Sequence, residues 1–158
     1  MTIWREKAFT ISTVKEDLDI ETIFNFLNQE SYWAKGVPRE VVEKSIENSP
    51  LCFGIYKEDV EGTCKQVGFA RIITDLATFA YLCDVFVLPN YRGLGLSKWL
   101  IDVITNHSQL KGVRRMMLAT NDAHSLYAKY GFEQIDKPEL FMQINRKNVY
   151  KQSIGTDN

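Results

Sequence analysis

The sequence predicts a single α/β domain built on a mixed central sheet, and three observations carry that expectation. Residues 79–100, FAYLCDVFVLPNYRGLGLSKWL, pass from an aromatic and β-branched run through a glycine-rich turn into an amphipathic stripe, the pattern of a strand feeding a helix. Around that unit, period-two and helical apolar patterns alternate along the chain. The composition, 158 residues with 45% hydrophobic and 25% charged, is that of one globular domain with room for a full core.

Residues 7–14 read as a first strand, with Phe9 and Ile11 on one face. Asp17 and Asp19 can cap a helix whose stripe is Ile20, Ile23, Phe24 and Leu27. A loop over residues 31–37 holds Tyr32, Trp33, Lys35 and Gly36. Pro38 suits the first turn of a second short helix with Val41, Val42 and Ile46 inward. Residues 51–56 and 66–74 read as strands around a polar hairpin loop, and 75–78 turn into the central strand, 80–88. Only Asp84 interrupts that strand, and Pro89 and Asn90 stop it. Leu96, Trp99, Leu100, Val103 and Ile104 then supply one apolar helix face. Residues 113–120 form the next strand, Thr120 or Asn121 caps a short helix reaching Tyr130, and Gly131 takes the C′ position. Two last strands, 132–135 and 140–144, flank a turn at 136–138. The domain core is expected over 7–145, with a loosely ordered tail over 146–158 that frays at 155–158.

A net charge of −1 argues against nucleic acid or an anionic membrane as the main partner. No apolar run is long enough to span a bilayer, and no signal-like segment opens the chain. Cys52, Cys64 and Cys83 form no even disulfide framework and have no zinc-site spacing. Reduced thiols, no metal and a cytoplasmic location are therefore expected.

The glycine turn has a chemical use. The first N–H groups of a helix lack intrahelical partners and sit at the positive end of its dipole. Here Gly93, Leu94, Gly95, Leu96 and Ser97 offer backbone donors, Arg92 adds a planar cationic fork, and Ser97 adds a hydroxyl. That set suits a pyrophosphate. A phosphate-binding Walker loop needs Gly-Lys-Ser/Thr, and a dinucleotide fingerprint needs a glycine where Lys98 stands. The run Val87-x-Pro89-x-x-Arg92-Gly93-x-Gly95-x-Ser97 resembles the acyl-CoA pyrophosphate motif of the GNAT superfamily of acyl-CoA-dependent N-acyltransferases, with Ser97 where the family has Gly or Ala. About thirty residues further on, Ala123-x-x-Leu126-Tyr127-x-Lys129-x-Gly131-Phe132 resembles the family's other signature.

The resemblance implies a sheet of about seven strands, flanked by about four helices and splayed between its fourth and fifth strands, with acetyl-CoA in the gap. It implies Tyr127 as general acid to the CoA thiolate, a role a packed aromatic ring would not need. It implies that the main-chain N–H of Phe86 or Val87 polarises the thioester carbonyl, and that Asn121, or Thr120 before it, reaches the pantetheine arm. Asp84 stands where members often carry an acidic residue that takes the substrate proton through water; the other reading is an ion pair, with Arg71 or Arg114. Tyr32 and Trp33 fall in the segment that lines the acceptor pocket in the family, and His124 could face the same cleft. The expected partner is a small-molecule amine; a protein N-terminus or lysine is the alternative acceptor, and a homodimer through a sheet edge is an option the family offers. A non-catalytic acyl-CoA sensor would keep Arg92, Gly93 and Gly95 but would not need Tyr127.

Overall fold

The computed structural model of the protein describes residues 2–152. The expected fraying at 155–158 lies outside the described residues. Six strands form one sheet in chain order: β1 (Ile3–Glu6), β2 (Phe9–Ser12), β3 (Leu51–Glu58), β4 (Cys64–Thr74), β5 (Phe79–Val87) and β6 (Arg115–Met117). The first five are antiparallel to their neighbours, and β6 is parallel to β5. The helices are α1 (Ile20–Asn25), α2 (Arg39–Glu47), α3 (Leu96–Thr105), α4 (His124–Ala128) and a short α5 (Val149–Gln152).

β3 explains why the sheet is central. Leu51, Phe53 and Ile55 enter one apolar cluster with Leu100, Ile101 and Ile104 of α3, while Cys52 enters a second with Ile23, Val42 and Ile46 of α1 and α2. Period-two alternation thus feeds two cores, one on each face of the sheet. Asp19 caps α1 as expected, accepting a hydrogen bond from the Thr22 N–H at 3.3 Å. Gly131 follows α4 with φ 93°, and the Phe132 N–H donates to the Tyr127 carbonyl at 3.3 Å, closing the helix as a C′ glycine should.

Four expectations are corrected. The first strand, read as 7–14, is one arm of a hairpin that starts at Ile3, with Lys7 at φ 55° in its turn. β1 was illegible because Ile3, Arg5 and Glu6 are exposed and only Trp4 is half-buried, so no alternation marks it. Val41 is exposed, and α2 turns Val42 and Ile46 inward instead. The strand read as 113–120 is confined to β6. Residues 132–135 and 140–144 have strand-like alternation but pair with nothing among the described residues, so the sheet has six strands rather than about seven.

Candidate active site

β5 and β6 are hydrogen-bonded only at their beginnings, where Phe79, Ala80 and Tyr81 face Arg115, Met116 and Met117. Beyond that point the two strands diverge and leave a cleft of about 290 Å³, lined by residues 81–85 and 118–123 together with Tyr32, Trp33 and Tyr127. The splay falls between the strands that the sequence reading counts fourth and fifth, since β1 was not counted there.

A bulge in β5 arranges the cleft wall. Phe69 of β4 faces Phe86, but Arg71 faces Cys83, so β5 carries one extra residue in this interval. Ala80 and Leu82 join the α3-side cluster before it, whereas Val85 and Val87 join that cluster after it. The phase has flipped. Asp84 sits in the bulge at φ 54°, a left-handed conformation that aspartate tolerates better than most residues. Its Oδ2 accepts from Arg71 Nε at 2.9 Å, and its Oδ1 accepts from Trp33 Nε1 at 2.9 Å. Arg71 also donates to Ser49 Oγ at 3.2 Å. Burial is the largest single influence on the Arg71 guanidinium and would lower its pKa, but the Asp84 charge and hydrogen bond, with the neighbouring Cys83 and Cys52, together hold it above the ordinary value. Of the two sequence-level readings of Asp84, the ion pair with Arg71 is present, and the carboxylate still lines the cleft.

Tyr32 and Trp33 do not close the core. They are 54% and 41% exposed and meet edge to face with ring centres 5.0 Å apart over the cleft. The Tyr32 hydroxyl accepts from the Asn121 N–H at 3.0 Å, so the loop after α1 bridges to the loop before α4. Neither Thr120 nor Asn121 caps α4, whose N-cap position is Ala123 without a side-chain cap; Thr120 Oγ1 instead accepts from the Ala123 N–H at 3.1 Å in the turn before the helix.

Tyr127 is buried, with its ring edge to face against Phe132 at 5.7 Å. Among the described residues no protein group hydrogen-bonds its hydroxyl. Burial pushes that hydroxyl up to about 12, with Tyr32 and Asp122 adding in the same direction, so it holds its proton at neutral pH. The thiols offer no competing nucleophile in the cleft, because burial raises Cys83 to about 12 and Cys52 to about 11.

The second half of the site follows β5. A concavity of about 260 Å³ is lined by Val87, Arg92, Gly93, Gly95, Leu96, Ser97, Lys98 and their neighbours. Gly93 and Gly95 have φ 81° and 80°, and a Cβ on either would meet no protein atom, so the space above both is open. The N–H groups of residues 93–98 have no backbone acceptor among the described residues. Arg92 Nε donates to the Val87 carbonyl at 3.1 Å, and Arg92 lines this concavity. Just past the end of β5 the Leu88 N–H is taken by the Val67 carbonyl of β4, so alternation turns the Val87 N–H toward the side from which β6 has diverged. Phe86 instead buries its ring against Phe26, stacked at 4.0 Å. Gly95→Ala is expected to destabilise the protein by about 1–2 kcal/mol through its left-handed backbone alone, measured as a lowered denaturation midpoint at unchanged slope.

The model of the acetyltransferase (GNAT) domain family matches residues 50–134, more than half of the chain. The chain belongs to the GNAT family of acetyltransferases. A Gibberella zeae relative assigned to the acetyltransferases is 31% identical over 143 residues, covering 80% of this chain and 79% of that protein. A crystal structure of a GNAT family member from Xanthomonas campestris superposes with a TM-score of 0.82 at 47% identity, covering 90% of this chain and 96% of that one. The [ribosomal protein bS18]-alanine N-acetyltransferase of Haemophilus influenzae is 35% identical over 98 residues, covering 58% of this chain and 60% of that protein.

Within this GNAT domain the structure gathers Tyr32, Trp33, Asp84, Asn121 and Tyr127 around one cleft, and Val87, Arg92, Gly93, Gly95, Leu96 and Ser97 around the adjoining turn. His124 stays exposed at the start of α4 and does not line the cleft, and Leu94 points outward at 59% exposure. Sequence reasoning missed Ser49 and Tyr81. Ser49 contacts only Arg71 at the site, and no spacing links it to Asp84. Among the described residues no helix is long and apolar enough to cross a membrane.

Proposed function

We propose that the protein transfers an acetyl group from acetyl-CoA to a primary amine by direct attack in a ternary complex. One observation carries the reading: the cleft shared by Asp84 and Tyr127 is joined, through the end of β5 and the tight turn Pro89–Tyr91, to a glycine turn whose backbone donors are unclaimed. Residues 93–97 and Arg92 would hold the pyrophosphate, and the Val87 N–H would polarise the thioester carbonyl. The amine attacks the carbonyl carbon, the C–S bond breaks, and Tyr127 gives its proton to the departing sulfur. Each Asp84 oxygen accepts one hydrogen bond and keeps a further lone pair, so the carboxylate can take the ammonium proton through a water in the cleft. Tyr32, Trp33 and Tyr81 give that end of the cleft aromatic faces beside a carboxylate, which favours a small cationic amine. The similarity to an enzyme named for a ribosomal-protein alanine favours a second acceptor, a protein N-terminus.

Thiol release from acetyl-CoA against a panel of small amines and N-terminal peptides tests this, with a calorimetric titration of acetyl-CoA beside it. Turnover on one class names the acceptor. Tight binding without turnover on any amine would leave the sensor reading in its place. Arg92→Ala is expected to weaken acetyl-CoA binding by about tenfold or more, the worth of a charge-assisted contact, with little change in melting temperature. Unchanged affinity would count against the cradle.

A further inference from the structure

One edge of the Arg71 guanidinium is only half used. Its Nε donates to Asp84 Oδ2 at 2.9 Å and its Nη1 to Ser49 Oγ at 3.2 Å. Nη2 has no hydrogen-bond partner among the described residues. Covalent geometry puts Nη2 on the same edge of the guanidinium as Nε, the edge that grips both oxygens of a carboxylate in a bidentate pair. Asp84 does not complete that grip, because its Oδ1 is turned to Trp33 Nε1 at 2.9 Å.

The spare donor is not sealed in. Among the described residues the Tyr56 hydroxyl is the one buried side-chain nitrogen or oxygen without a partner, so the unpaired Nη2 reaches solvent. The Arg71 side chain as a whole is 14% exposed. Its half-used edge faces Asp84, and Asp84 lines the cleft together with Cys83, which stands opposite Arg71 in the strand pair, and Tyr81. Arg71 thus stands one side chain behind the cleft lining. No lysine, arginine or histidine lies in that lining, whereas Asp84 and Asp122 do. A cationic amine is drawn to such a cleft, and the cation that the structure ties to a cleft residue is Arg71.

We propose that the acceptor is a free α-amino acid, an inference that rests on the acetyl-transfer reading above: its amine sits beside Asp84, beneath the Tyr32 and Trp33 rings, and its carboxylate takes the open Nη2 of Arg71. Amine and carboxylate have to be neighbours on the acceptor, because Asp84 and Nη2 are neighbours along one guanidinium edge. Charge supports the pairing. While Asp84 is ionised it balances Arg71; once it takes the ammonium proton, Arg71 is a largely buried cation without a countercharge, which is a costly state. The acceptor carboxylate supplies that charge while the proton stays. A protein N-terminus has no carboxylate there, since its first carboxyl is spent in a peptide bond, and a diamine has none at all. The bonds exchanged are those of acetyl transfer: the N–C bond forms, the C–S bond breaks, Tyr127 protonates the sulfur, and the product is an N-acetyl amino acid with its carboxylate untouched.

Thiol release from acetyl-CoA is compared for each common L-α-amino acid and for its carboxamide, which keeps the side chain and the amine and lacks the carboxylate. At least one amino acid is expected to exceed its amide in kcat/KM by about tenfold or more, the worth of one charge-assisted hydrogen bond. The amide's amine is the less basic of the two and the more free at neutral pH, so the comparison is biased against that result. Turnover on amides or on plain amines that equals turnover on every amino acid would overturn the proposal and leave acetyl transfer standing. Binding of acetyl-CoA with no turnover on any amine would overturn both. Arg71→Lys keeps a charge for Asp84 but offers one nitrogen in place of the fork. Its acid-to-amide ratio should fall to near one, whatever its absolute rate. A parent-like ratio in that variant would place the carboxylate elsewhere and overturn the assignment to Arg71; the parent comparison decides by itself if the variant does not fold.

Discussion

Tyr127→Phe is expected to lower kcat by about 10²–10⁴-fold while leaving the affinity for acetyl-CoA nearly unchanged. The substitution removes one oxygen and keeps the ring that packs against Phe132, so the fold and the glycine turn are undisturbed. Thiol-release kinetics and calorimetry on the same preparation separate the two effects, and full turnover in the variant would remove Tyr127 from the mechanism. The position of its pKa adds a pH condition. Burial raises this hydroxyl to about 12, so the acid form is present below that value and is lost only as pH rises through it. Between about pH 6 and 10, kcat should therefore show no descending limb from this group. A descending limb near pH 8 that disappears in Tyr127→Phe would place the titration of this hydroxyl far lower.

Asp84→Asn is expected to cost both stability and rate. It leaves the Arg71 guanidinium, 14% exposed at its side chain, without its countercharge. Removing one partner of such a pair costs about 3 kcal/mol, at the low end because both groups keep some contact with water. For a chain of this length that is a fall in Tm of about 6–12 °C. Asparagine tolerates the left-handed backbone at this position and can still accept from Trp33, so the loss reports charge rather than strain. Pairing it with Arg71→Leu separates the roles. If the double variant regains the Tm but not kcat, Asp84 acts on the substrate proton as well as on Arg71. If Tm does not move in Asp84→Asn, the ion pair contributes nothing to the fold.

The features legible in the sequence were those written in adjacent residues. The glycine turn, its arginine and the strand before it lie within one stretch, and local backbone rules suffice to predict a row of unclaimed donors from Gly93, Gly95 and the start of α3. The Asp19 cap and the Gly131 stop were legible for the same reason. β1 was missed because an edge strand with three exposed residues carries no period, and the end of the chain was overread because alternation signals a strand without saying what it pairs with.

The sequence by itself determined the family of the chain and the identity of its glycine turn, since both rest on residues a few positions apart. Tertiary structure alone decided which of Arg71 and Arg114 meets Asp84, because a bulge in β5 changes which face each later residue presents. It alone placed Tyr32 and Trp33 over the cleft rather than in the core, and left His124 outside it. It also left residues 142–145 without a backbone partner among the described residues, where alternation alone had read a strand. The reason is common to all of these: contacts across a sheet depend on register and splay, which are properties of paired strands and not of any one of them.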